Sequence, residues 1–233
     1  MQRQPKQSMR SLLSRAALFA HVERAAIDRA CAAAIKRKLT SGTVLFREGE
    51  AAERLHLVID GRVKMTRVAP NGAQSTIGVL GPGELAGCVA VFRKIPYPAT
   101  ATSAGETITL SWSCAQMQQM LELSQQLGKN ALTIVGERAE RFLRRTQELS
   151  SDSAEQRVAR ALLRMLDPGV SRIEPPTVVT NRQELADLSG VTLYTASRVI
   201  AELERRGLLK GGRQKIVVMK PGGLQAIAEA RGG

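Results

Sequence analysis

The stretch Asn181–Leu209, NRQELADLSGVTLYTASRVIAELERRGLL, carries the most specific spacing in the chain. Thr180 and Asn181 can cap a first helix, with Gln183 and Glu184 three residues further on. In that pairing a short polar side chain and a following Gln or Glu satisfy each other's free amides. Leu185, Ala186 and Leu188 supply apolar contacts, and the small Ala186 permits a close crossing by a second helix. Gly190 ends the first helix, because glycine enters the left-handed backbone region at least cost. Thr192 caps the second helix. There Ala196, Val199, Ile200 and Leu203 recur at i, i+3, i+4 and i+7 and face inward. Gly207 closes it. The opposite side presents Tyr194, Ser197, Arg198, Ala201 and Arg205.

Two helices joined at a glycine turn over a small residue make a helix-turn-helix, whose second helix enters the DNA major groove by its N-terminal half. Arg198 can bond bidentately to O6 and N7 of guanine, worth about 1–3 kcal/mol of discrimination. Ser197 and Tyr194 can reach neighbouring base edges or phosphates, and we take them as base-reading. Arg182, Thr192, Thr195 and Arg205 are placed for phosphates, contacts that set register without reading sequence. The plainer alternative is a helical hairpin with a solvated charged face. The joint agreement of caps, glycine and apolar period favours the helix-turn-helix. Downstream, LLKGGRQKIVVM (208–219) places Gly211-Gly212 between two strand-like runs, a hairpin that fits a wing.

Toward the N-terminus, Ser150–Ser153 forms a polar hinge and N-cap for an amphipathic helix, AEQRVARALLRML, that ends at Asp167-Pro168-Gly169. Before the hinge, a helical period runs from about Ala115 to Leu149. Its 35 residues would make a rod of about 50 Å. Leu127, Ala131, Ile134, Phe142 and Leu149 mark the apolar stripe of this rod. Its cover is either its own domain or a second chain, and we expect a two-chain coiled coil. Upstream again, short β-rich runs recur to about Trp112. Leu55–Ile59 and Arg62–Val68 flank Asp60-Gly61, a tight-hairpin signal, and APNGAQ (69–74) is a second turn. Such spacing suggests a small antiparallel barrel or jelly roll. Residues 12–39 are Ala-rich and predict helix, and the first ten residues predict a loose tail.

Composition bounds the rest. The chain has 233 residues, 43% hydrophobic and 24% charged, which is globular usage; aromatics are only 3%, so the core is aliphatic. The net charge of +13 favours polyanionic partners. It does not locate the binding face, because residues 151–233 hold only 13 Lys+Arg against 9 Asp+Glu. No apolar run reaches the ~18 residues of a membrane helix, and no signal-peptide pattern is present, so a cytoplasmic protein without membrane association is expected. Cys31, Cys88 and Cys114 are widely spaced and form no C-x-x-C pair, and no metal site is expected.

These segments together resemble the cyclic-AMP receptor protein / fumarate-nitrate reduction regulator (Crp/Fnr) family, from about Leu12 to Val218. The marks are GTVLFREGE, LHLVIDGRVKM, GPGELAG, YPATATS, the long helix, QRVARALLRML and the helix-turn-helix. The resemblance implies an α+β chain in three parts. These are a β-roll (jelly-roll, cyclic-nucleotide-binding-like) sensor domain with N-terminal helices over 12–115, a dimerisation helix over 116–150, and a winged helix-turn-helix over 151–233. It further implies a homodimer on a near-palindromic double-stranded operator, allosteric control through the β-roll, contact with RNA polymerase, and no enzymatic activity.

The chain also departs from the family pattern. Ser197 and Arg198 match the base-reading residues of the fumarate-nitrate type, but Tyr194 stands where a glutamate is usual, so the half-site differs. Glu84 matches an acidic position that bonds a cyclic nucleotide's ribose, yet Tyr97-Pro98 replaces the Arg-Ser that holds its phosphate. Without the guanidinium fork a cyclic phosphate lacks its charge partner. An effector pocket is expected around Glu84, Cys88, Tyr97, Thr100 and Phe142, for a ligand other than cyclic AMP. Haem-dependent sensing of nitric oxide or carbon monoxide stays open, with His21, His56 or Cys88 as ligands. An iron-sulfur cluster lacks its N-terminal cysteines. A jelly-roll ligand-binding module or metal enzyme without DNA function is a further alternative, disfavoured by only two separated histidines.

Overall fold

The structure is a computed structural model that describes residues 9–14, 16–69, 72, 74–166, 175–212 and 214–230. Two compact units are present, residues 1–74 with 78–140, and residues 75–77 with 141–233.

The first unit opens with α1 (Met9–Leu13), a 3-10 turn (Ala17–Phe19) and α2 (Arg24–Ala33). Eight strands follow: β1 (Ile35–Leu39), β2 (Val44–Phe46), β3 (Arg54–Asp60), β4 (Val63–Val68), β5 (Gln74–Leu80), β6 (Leu85–Ala86), β7 (Thr100–Ser103) and β8 (Thr107–Ser113). Short α3 (Cys88–Arg93) lies between β6 and β7. The strands form two four-stranded sheets, ordered β1-β8-β3-β6 and β2-β7-β4-β5, and the pairings β1–β8, β3–β8, β3–β6, β2–β7 and β4–β7 are antiparallel. This is the expected β-roll.

Three details differ from the sequence expectation. Residues 35–39 are a strand and not the end of an Ala-rich helix, because β1 pairs with Thr107–Ser111 of β8. Residues 16–23, a 3-10 turn with irregular flanks, also interrupt the expected helix. Asp60-Gly61 is a turn but not a hairpin, since β3 and β4 belong to different sheets. Gly61 has φ +78, and a Cβ there would sit 2.2 Å from the Glu106 carbonyl oxygen. The turn is thus a corner where one sheet hands the chain to the other. Within the second turn only Ala69, Gly72 and Gln74 are described, and the Gly72 amide donates to Ala69 O.

Side-chain alternation divides the core. Leu55, Leu57, Leu110 and Trp112 point outward from the first sheet, onto Phe19, Ala30, Met117, Met120 and Leu127 of the helices. Trp112 Nε1 donates to Ala30 O at 2.8 Å, which satisfies the indole N–H inside this apolar layer. Phe46, Val58, Val63, Ala86, Tyr97 and Ala101 form a second cluster from both sheets.

After β8 come α4 (Cys114–Leu123) and α5 (Gln125–Ser151). The single 35-residue rod expected from the period is therefore two helices. Ser124 breaks it, in an extended conformation, accepting from the Leu127 amide and donating to Glu23 Oε2. Leu127, Ala131 and Ile134 are buried in the first unit's own core, which corrects their assignment to a stripe covered by a second chain.

The second unit contains α6 (Ala154–Met165), β9 (Thr177–Val178), α7 (Arg182–Ser189), α8 (Leu193–Arg205), β10 (Leu209–Gly212), β11 (Lys215–Val218) and α9 (Pro221–Glu229). Ser153 caps α6 in a reciprocal box with Gln156. The helix stop expected at Asp167-Pro168-Gly169 lies outside the described residues. β9 was not legible in the sequence; it adds a third strand in the order β10-β11-β9. Gly211 and Gly212 belong to β10 itself, Gly212 opposite Lys215, and are not the turn of the wing.

Candidate nucleic-acid interface and sensor core

Local chemistry fixes the two helices of the interface. Asn181 caps α7 by accepting the Glu184 amide at 2.8 Å, while Thr180 Oγ1 donates to Glu184 Oε2 at 3.0 Å. Gly190 takes the left-handed position after α7 (φ +63), and a Cβ there would lie 2.4 Å from Leu149 Cδ2. Thr192 caps α8 by accepting the Thr195 amide at 3.1 Å. Ala196, Val199, Ile200 and Leu203 are buried, and the opposite face is open. Tyr194 is 79% exposed, Arg198 is exposed and Ser197 partly so. The three side chains therefore share one accessible face in the first half of α8.

Of the residues expected at phosphates, Arg182 is exposed at the first position of α7. The Thr192 and Thr195 hydroxyls lie 2.9 Å apart and bond each other, so one of the two protons is already used. Arg205 pairs with Glu202 on its own helix. The sequence missed two groups that brace this face. Arg157 of α6 donates to Ser189 O at 3.1 Å and to Asp152 O at 2.7 Å, and Glu204 accepts from the Gly211 amide. These bonds tie the helix-turn-helix to α6 and to the wing.

Of the five residues expected to line an effector pocket, Glu84, Cys88, Tyr97 and Thr100 lie in the first unit and Phe142 in the second. Cys88 is fully buried in the layer between the first sheet and the helices, whereas Tyr97 belongs to the cluster drawn from both sheets. Phe142 is exposed on α5. Glu84 accepts from the Gly81 amide at 2.8 Å, closing its own turn, and Thr100 Oγ1 accepts from the Glu48 amide at 3.0 Å. Tyr97 is buried and stacked on Phe46, with ring centroids 3.8 Å apart at 11°. Its hydroxyl donates to Arg54 O at 2.7 Å and accepts from the Arg54 amide at 2.9 Å. Burial pushes the Tyr97 hydroxyl up.

His56 lies beside Phe46, at 5.9 Å between ring centroids, and Cys88 is buried in the layer between the first sheet and the helices. His21 is exposed, in a left-handed turn before α2. Among the described residues no group of three His, Cys, Asp or Glu side chains is placed to hold a metal ion. No described helix is long and apolar enough to cross a membrane.

Comparison with known proteins agrees with this architecture. The cyclic nucleotide-binding domain family matches residues 36–124, and the Crp-like helix-turn-helix domain family matches residues 156–227. The chain is 26% identical over 213 residues to the CRP-like cAMP-activated global transcriptional regulator of Mycobacterium tuberculosis, covering 87% of this chain and 92% of that one. Catabolite Activator Protein of Thermus thermophilus superposes with a TM-score of 0.53 at 27% identity, covering 91% of this chain and 98% of that one. FixK2 from Bradyrhizobium japonicum shares the fold with a TM-score of 0.74 at 20% identity, over 85% of this chain and 99% of that one. A β-roll followed by a helix and a winged helix-turn-helix defines a class of transcription regulators. The chain belongs to the Crp/Fnr family of that class, and its Crp-like helix-turn-helix implies DNA binding.

Proposed function

We propose that the chain is a sequence-specific transcription regulator acting as a homodimer on a near-palindromic operator, under control of an effector other than cyclic AMP. The observation that carries this reading is the open row of Tyr194, Ser197 and Arg198 on a helix capped and braced on its other sides. These three residues read bases, and Arg182, Thr192, Thr195 and Arg205 engage phosphates. RNA polymerase is the further partner, as the family implies.

The dimer reading rests on α5. Beyond its buried first turns, Leu132, Val135, Ala139, Phe142, Thr146 and Leu149 recur at alternating steps of three and four. Leu132 is 74% and Phe142 71% exposed. An apolar a/d seam of this kind on a 27-residue helix suits a two-stranded coiled coil.

The effector reading rests on Tyr97. A cyclic phosphate needs a cationic fork at this position, and a buried phenol bonded to the Arg54 backbone does not fit it. The test is selection of duplexes from a random library by the full chain, followed by titration of the selected duplex with and without cyclic AMP. Enrichment of a two-fold-related sequence, unaffected by cyclic AMP, is expected. No enrichment, or a cyclic-AMP requirement, would overturn the corresponding half of the proposal.

A further inference from the structure

Only two of the chain's seven aromatic rings are exposed, Phe142 and Tyr194. Phe142 falls on the α5 seam. Tyr194 stands in the first turn of α8, beside Leu193, which is also exposed. Leu193 and Ser197 are separated by four residues, as are Tyr194 and Arg198, so two parallel rows each run from an apolar group to a polar one. Both side chains stay open to solvent and flank the Ser197 position on the outer face of the helix.

We infer that Tyr194 sets operator specificity by packing its ring, with Leu193 beside it, against the 5-methyl group of a thymine in each half-site. This inference rests on the base-reading role proposed above. Its logic is chemical. A phenolic hydroxyl both donates and accepts, so it can meet the acceptors of guanine, the donor of cytosine, or the mixed edges of adenine and thymine. Such a group discriminates weakly. The ring and Leu193 offer only apolar surface, and in the major groove only thymine presents an apolar group in return. Discrimination at this position therefore comes from the methyl. Arg198, four residues on, retains guanine through its two parallel donors.

The experiment uses the full chain and the duplex it selects from a random library. Each thymine of the half-site is replaced in turn by deoxyuridine, which removes the methyl and leaves every hydrogen-bonding group. At one position the replacement weakens binding about fourfold per half-site, the value of burying one methyl group. Tyr194→Ala binds the thymine and deoxyuridine duplexes equally, whereas Tyr194→Phe keeps the difference. Wild-type binding that ignores every such replacement would overturn the inference while leaving sequence-specific binding intact. Loss of the difference in Tyr194→Phe would transfer the reading to the hydroxyl and also overturn it. A chain that enriches no sequence would instead remove the base-reading role on which the inference stands.

Discussion

His56 is only 3% exposed, and its Nδ1 has no hydrogen-bond partner among the described residues; the same holds for Thr109 Oγ1. Burial, reinforced by the charges of Arg54 and Arg37, lowers the His56 pKa from its ordinary 6.5 to about 4. The folded chain therefore holds it neutral where the unfolded chain takes up a proton. Stability is unaffected above about pH 6.5 and falls as pH drops from there toward 4. At pH 5 the loss amounts to about 2 kcal/mol. His56→Leu should flatten urea midpoints between pH 7 and pH 5, and an equally steep decline in that variant would acquit His56. Thr109 offers an independent check. Removing a buried hydroxyl without a partner is neutral or stabilising when shape is kept, so Thr109→Val should hold or raise the midpoint. A fall of more than about 1 kcal/mol would mean that the hydroxyl is bonded.

At the scale of elements, Gly190 is a constrained position of the interface. Its φ of +63 disfavours any side chain, and Leu149 Cδ2 occupies the space a Cβ would need. Gly190→Ala is expected to destabilise the helix-turn-helix by about 1–2 kcal/mol, read as a lower melting temperature of the winged domain. An unchanged melting temperature would contradict the assigned turn. This turn was legible in the sequence because its signals are local: caps, a glycine and one apolar period within 29 residues. Non-local pairing was not legible. Ile35–Leu39 continues an Ala-rich run, and its strand state depends on β8, some 70 residues away. Asp60-Gly61 announced a turn, but its flanking strands pair with other partners in different sheets. The period at Leu127, Ala131 and Ile134 was also visible, yet a period does not say which surface covers it. In the β-roll core, the identity of Tyr97 was informative, but its stacking on Phe46 and the unpartnered His56 nitrogen arise only from the folded interior.

For the whole molecule, a two-fold operator requires two recognition helices held together. A coiled coil along Leu132, Val135, Ala139, Phe142, Thr146 and Leu149 would join two copies of the chain. Placing a charge in that seam with Phe142→Glu should shift the sedimenting species from dimer to monomer. Because each half-site would then bind alone, operator affinity should fall about 100-fold or more. A variant that remains dimeric would place the interface elsewhere. The central claim, that the open face of α8 reads base edges, is tested most directly by fluorescence anisotropy with the selected operator and a scrambled duplex at one fixed salt concentration. Arg198→Ala should lose about ten- to hundredfold in affinity for the operator and little for the scrambled duplex. Equal affinities of wild type and Arg198→Ala for the operator would contradict the claim.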